Sequence, residues 1–177
     1  MPWPIETIAD FENGRERIRM RRYGVIETVS GKLQTVYLRP WPKLLSLTEV
    51  WPLLGSRYHS DGAPDRCLLY YNQPWRMPNF LALRYVVSTS GTSYRTFRAA
   101  LMALDAIAKL KRIDAVVCDA ANMRISDRLL ARLGWEPHKP QRWHRNYIRR
   151  FYGNYPSNTG SLSALVNTGG PPLPLNC

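Results

Sequence analysis

Apolar positions along the chain change their spacing in a definite order, and that order predicts the elements. Val25-Ile26-Glu27-Thr28-Val29 and Gln34-Thr35-Val36-Tyr37-Leu38 flank Ser30-Gly31-Lys32, a pattern for a β-hairpin closed by a short glycine turn. Before it, Arg15 to Arg22 alternates arginine with Glu16, Ile18 and Met20, and this period of two predicts a strand with one wet face, with a short helix as the alternative. Cys67 to Tyr71 reads as a strand, and so does Leu81 to Val87, which Arg84 interrupts. The second runs into Ser88-Thr89-Ser90-Gly91-Thr92-Ser93, six residues without a bulky side chain. Phe97, Leu101, Leu104, Ile107 and Ala108 then recur at helical spacing, with Arg98, Asp105, Lys109 and Arg112 on the other side.

The next apolar run, Ala115 to Cys118, is short and continuous, as a strand buried on both faces should be. Asn122 or Ser126 can cap a following helix whose Leu129, Leu130 and Leu133 face the core, and Gly134 is placed to end it. In Arg145 to Tyr152, Tyr147 and Phe151 share one strand face, Ile148 and Tyr152 the other. Ser46-Leu47-Thr48-Glu49 has the form of a capping box, and Pro52 should break the helix it starts. The organisation expected is a turn-rich N-terminal arm over 1–14, one domain over 15–152, and a flexible, uncharged tail rich in Gly, Pro, Asn and Ser over 153–177.

Composition narrows this picture in three ways. With 177 residues and 45% apolar content, the chain suits a single core without staples. Cys67, Cys118 and Cys177 are scattered and odd in number, which supports neither a disulfide framework nor a cysteine zinc site. No apolar run approaches the roughly 20 residues of a membrane helix, and Met1-Pro2-Trp3-Pro4 lacks the order of a signal peptide, so a cytoplasmic protein without membrane contact is expected. The net charge of +12 attracts anions: nucleic acid, nucleotide phosphates or an acidic protein partner.

The strand–helix–strand–helix order of residues 81–135 resembles the GNAT (GCN5-related N-acetyltransferase) superfamily. Asn122 through Trp135 is similar to that family's segment of asparagine, short amphipathic helix and Leu-Gly-aromatic. The resemblance covers residues 81–152 and implies an α/β fold: a mixed, mostly antiparallel sheet flanked by helices. It also implies an acyl-coenzyme A-dependent N-acyltransferase that uses acetyl-CoA or another acyl-CoA and an amine substrate. Val86, Val87 and Ser88 would pair with the pantetheine arm. Ser90, Gly91, Thr92, Ser93 and Arg95 would hold the pyrophosphate at a helix start, where bare amides and the helix dipole attract phosphate. Asn122 would contact the cofactor from the facing strand end.

Two departures stand out. Aligning the helix by Ala100-Leu101 puts Thr92, Arg95 and Phe97 where the family carries an arginine and two glycines. Counting back from Gly134, Leu130 stands where many members have a proton-donating tyrosine. For the base that accepts the amine proton, the candidates are Glu27, Glu49, His59 and Asp119, with Asp119 and Glu49 taken as the catalytic pair of choice.

His138, His144 and Asp119 lack a convincing metal-ligand spacing, and no metal is expected. A rival to the enzyme is a non-catalytic GNAT-like domain binding nucleic acid or a protein partner through its basic surface. Lys139, Arg142, Arg145, Arg149 and Arg150 mix with Trp143, Tyr147 and Phe151, a composition suited to phosphate contact and base stacking, although alternation sends some of those rings into the core.

Overall fold

The computed structural model describes residues 5–41, 65–89, 91–120, 126–139 and 145–156. Within them an open sheet of eight strands runs in the order β1-β3-β2-β4-β5-β6-β8-β7. Its strands are β1 (Glu6–Ile8), β2 (Tyr23–Val29), β3 (Lys32–Arg39), β4 (Arg66–Asn72), β5 (Phe80–Ser88), β6 (Ala115–Asp119), β7 (Glu136–Pro137) and β8 (Asn146–Arg150). Every neighbouring pair is antiparallel except β5 and β6, which are joined by the crossover helix α2 (Tyr94–Leu110). The fold is thus α/β with a mixed, mostly antiparallel sheet, as expected. The capping box at residues 46–49, Pro52, and the tail beyond residue 156 lie outside the described residues.

The hairpin forms as its pattern requires. Ser30 and Gly31 both take positive φ (50° and 77°), the twist that a two-residue hairpin loop needs. Arg15 to Met20 is a different matter: the expected strand is a helix, α1 (Arg15–Met20). The Asp10 carboxylate accepts from the Glu12 amide (2.9 Å), the Asp10 carbonyl from the Gly14 amide (3.0 Å), and the Gly14 carbonyl from Ile18 (2.9 Å). That local turn nucleates the helix, and Ile18 alone anchors it in the core while Met20 is 75% exposed. Two apolar residues two apart cannot separate the periods when only one of them is buried.

The break at Arg84 also has a local cause. Tyr70 pairs with Tyr85 but Tyr71 with Leu83, so Arg84 is the extra residue of a bulge and turns out to solvent. Helix α2 then crosses the sheet with Ala99, Ala100, Ala103 and Ala108 buried beside Leu101, Leu104 and Ile107. The small side chains bring its backbone close to β2 and β4, whose Ile26, Leu69 and Tyr71 belong to the same core cluster. Helix α3 (Asp127–Arg132) begins at Ser126, whose Oγ accepts from the Leu129 amide (3.2 Å). It ends at Gly134 (φ +80°), where the Trp135 amide returns to the Leu130 carbonyl (3.0 Å) and the indole is buried. Of the alternatives for this cap, Ser126 is the one used; Asn122 lies outside the described residues.

Candidate functional site: the parting of two parallel strands

Strand β5 is longer than its parallel neighbour. Pairing runs from Phe80 opposite Ala115 to Leu83 opposite Cys118 and stops there. Beyond that point Arg84 to Ser88 continue along β4 as far as Ser88 opposite Cys67. Asp119, one residue past the last parallel pair, continues the unbroken register of β6 with β8, opposite Asn146. A notch therefore opens in mid-sheet, with one wall an extended strand edge. Val86, Val87 and Ser88, the residues expected to line a cofactor arm, form that wall and are half-buried. Asp119 stands at the end of the opposite wall and is exposed.

The loop after β5 is knitted to β4 by its small polar residues. The Thr89 amide donates to the Arg66 carbonyl (3.2 Å), as does the Thr92 hydroxyl (2.7 Å), and the Thr92 amide donates to the Thr89 carbonyl (3.1 Å). Ser93 caps α2 with its Oγ accepting from the Thr96 amide (3.2 Å). Asp65 then reaches in: its two carboxylate oxygens accept from the Ser93 amide (2.8 Å) and the Ser93 hydroxyl (3.0 Å). Burial alone would raise the Asp65 pKa, but hydrogen bonds from Ser93 and Thr96 and the nearby Arg95 charge bring it below the usual carboxylate range. A carboxylate of the chain itself thus sits on one of the donors expected to meet pyrophosphate.

The other donors are distributed as follows. The Phe97 amide is spent on the Ser93 carbonyl (3.1 Å), and the Phe97 ring packs against the core. The Tyr94 and Arg95 amides find no acceptor among the described residues. Arg95 is exposed, and its side chain passes so close to Gly31 that a Cβ there would meet Arg95 Nε at 2.6 Å. Gly91 is exposed; Ser90 lies outside the described residues.

The structure brings forward a carboxylate that its sequence context did not favour. Glu27 is 2% exposed and lies on the row Glu27–Leu68–Val87 across β2, β4 and β5, about two strand spacings (~10 Å) from the notch wall. Its oxygens accept from Arg66 Nε (2.7 Å) and the Tyr37 hydroxyl (2.7 Å). Burial, then Glu27 itself, pushes the Tyr37 pKa up, so the phenol stays a donor. Glu27 is one of the four candidates in the sequence but not one of the preferred pair, Asp119 and Glu49; its position in an alternating strand, where a carboxylate breaks the apolar pattern, is its only signal. Glu49 and His59 lie outside the described residues. Leu130 is buried, and Cys118 at the foot of the notch has its thiol pushed up to about 12 by burial, which removes it as a nucleophile at neutral pH. Among the described residues no three His, Cys, Asp or Glu side chains cluster as a metal site would need.

The basic run at the other edge is largely committed to structure. Tyr147 and Phe151 are buried and cannot stack on bases. Arg145 pairs with Asp127, Arg149 with Asp105 and Arg150 with Glu136. The expected face partner of Ile148, Tyr152, is instead 70% exposed with φ 45°, because the strand ends at Arg150. Arg142 and Trp143 lie outside the described residues. The chain matches no protein-family profile, no curated protein and no solved structure.

Proposed function

We propose that the chain is a GNAT-like N-acyltransferase that moves an acyl group from acyl-coenzyme A to an amine. The observation that carries this reading is the parting of β5 from β6 after Leu83 and Cys118, directly before a serine-capped helix. An extended strand edge suits the amides of a pantetheine arm, which can add to it as a further strand would. The Tyr94 and Arg95 amides and the Arg95 guanidinium are the groups left to meet the pyrophosphate. Asp65 opposes it, since its carboxylate repels the same charge. The amine nitrogen would attack the thioester carbon, forming the C–N bond as the C–S bond breaks. Asp119, at the end of β6, would take the amine proton directly; Glu27 would do so only through water. The thiolate then recovers a proton from solvent, because the chain offers buried Leu130 where a tyrosine would donate.

Calorimetric titration with acetyl-coenzyme A tests this reading. Binding is expected, and Asp65→Asn should tighten it by about fivefold, since roughly 1 kcal/mol of repulsion at a part-exposed site is removed. No heat at millimolar cofactor for either protein would sink the enzyme.

A second reading, a non-catalytic module for nucleic acid, is favoured by a different observation. Trp75 is 73% exposed, the Arg22 guanidinium lies 4.0 Å from its ring centroid, and Arg76 beside it is exposed. An open indole flanked by cations suits base stacking. Binding to single-stranded nucleic acid that weakens steeply with salt, and falls in Trp75→Ala, would favour this reading over the first.

A further inference from the structure

On the helix-bearing side of the sheet a cleft of about 290 Å³ lies between the middle of α2, the end of α3 and β8. It is away from the notch: Arg149 of the cleft pairs with Val116, two residues below the last parallel pair on β6, and on the side of β6 remote from β5. Among the described residues three guanidinium groups line it, Arg98, Arg132 and Arg149, against the single carboxylate of Asp105.

The charges are not balanced locally. Asp105 is committed to Arg149, with Oδ1 at 3.0 Å from Nη1 and both side chains largely buried. Arg98 and Arg132 have no ion-pair partner among the described residues, and both are exposed at the cleft rim. The carbonyl end of α3, which would repel an anion, is tied up internally: the Leu129, Leu130 and Ala131 carbonyls accept from the amides of residues 133–135. Gly134 keeps the wall low, since a side chain there would begin 3.5 Å from Arg149 Nε. Leu101 and Met102 supply the apolar part of the lining. A buried pair anchors the floor and two exposed cations stand at the mouth, which is an arrangement for capturing a compact, multiply charged oxyanion.

We propose that this cleft binds a small phosphate-bearing ligand, a phosphate monoester or diphosphate, with Arg98 and Arg132 clamping the oxyanion over Arg149. The volume is at the lower end of the range for small-molecule sites, which suits a metabolite headgroup and excludes a large ligand enclosed whole. The proposal does not depend on the acyltransferase reading, because the residues are different.

Inorganic pyrophosphate is the probe. Titration should show binding to the wild-type protein and a rise in melting temperature with ligand. The Arg98→Gln/Arg132→Gln double variant should lose about tenfold or more in affinity while keeping the unliganded melting temperature, as both side chains are exposed. The Arg17→Gln/Arg19→Gln double variant, which removes the same charge from exposed positions on α1, should leave affinity within about twofold. Equal losses in the cleft and control variants would reduce the effect to net charge and overturn the proposal, and so would the absence of binding at millimolar pyrophosphate. Should the double variant lose stability, chemical-shift changes on titrating the wild type decide: shifts at Gly134 and the Arg98 and Arg132 guanidinium signals support the site, and shifts confined to residues 89–95 refute it.

Discussion

The start of α2 and its middle teach opposite lessons about charge. At the start stand backbone donors and an exposed Arg95, everything an anion needs, yet the chain supplies its own anion in Asp65. At the middle, three arginines meet one carboxylate among the described residues, and these leave an excess of positive charge over a cleft. Net charge is the same fact for both regions, but what each can bind depends on whether a neighbour in space has already neutralised it. A helix start is attractive to phosphate only to the extent that its amides are unspent.

The comparison breaks most violently at the buried pair. Arg149→Ala should destabilise the fold by about 3 kcal/mol or more at pH 7, because Asp105 would be left buried without its partner, either charged or made to take up a proton. For a chain of this size that is about 6–12 °C in melting temperature, measurable by calorimetry. A loss of only a degree or two would mean that Asp105 gains little from Arg149.

A pH titration sharpens the same point. Burial raises the Asp105 pKa from 3.8 to about 6, against the lowering effect of Arg149. A native carboxyl that holds its proton more tightly than the unfolded chain contributes stability that is full below about pH 4 and is lost as pH rises through about 6. Asp105→Asn does not titrate. The stability of the wild type relative to Asp105→Asn should therefore fall between pH 4 and pH 7, by up to about 3 kcal/mol, in denaturant titrations. A difference independent of pH would show that Asp105 is ionised throughout.

The smallest effect belongs to the helix start. Ser93→Ala removes the cap of Thr96 and one of the two donors to Asp65, and should cost about 1 kcal/mol. In Asp65→Asn the same substitution should cost less, since part of the loss is the stranded carboxylate; a double-mutant cycle reads the coupling. Strict additivity would separate Asp65 from the helix start and restore those amides to an incoming phosphate.

Much of the architecture could be read from local pattern. Ser30-Gly31, the helical row from Phe97 to Ala108, Ser126 as a cap and Gly134 as a stop are contacts within a few residues, and short-range sterics and hydrogen bonding settle them before any long-range packing. The pattern failed at Arg15–Met20, where a single buried residue left no period to measure, and at Tyr152, where the strand ends before the ring can take its side of the sheet.

The candidate sites divide along the same line. Val86, Val87, Ser88 and Ser93 were legible because they surround one strand-to-helix junction. The Asp65 carboxylate on Ser93 crosses 28 positions, Arg66 on Glu27 crosses 39, and Arg149 on β8 reaches Asp105 on α2. Nothing in the spacing of such residues marks them as partners, because sheet order and helix docking bring them together and neither is written in a local period. Residue types and their near neighbours settle which elements form. Which charges are answered and which are left facing solvent is settled by strand order and by how α2 lies across the sheet, since Coulomb attraction acts on separation in space rather than along the chain.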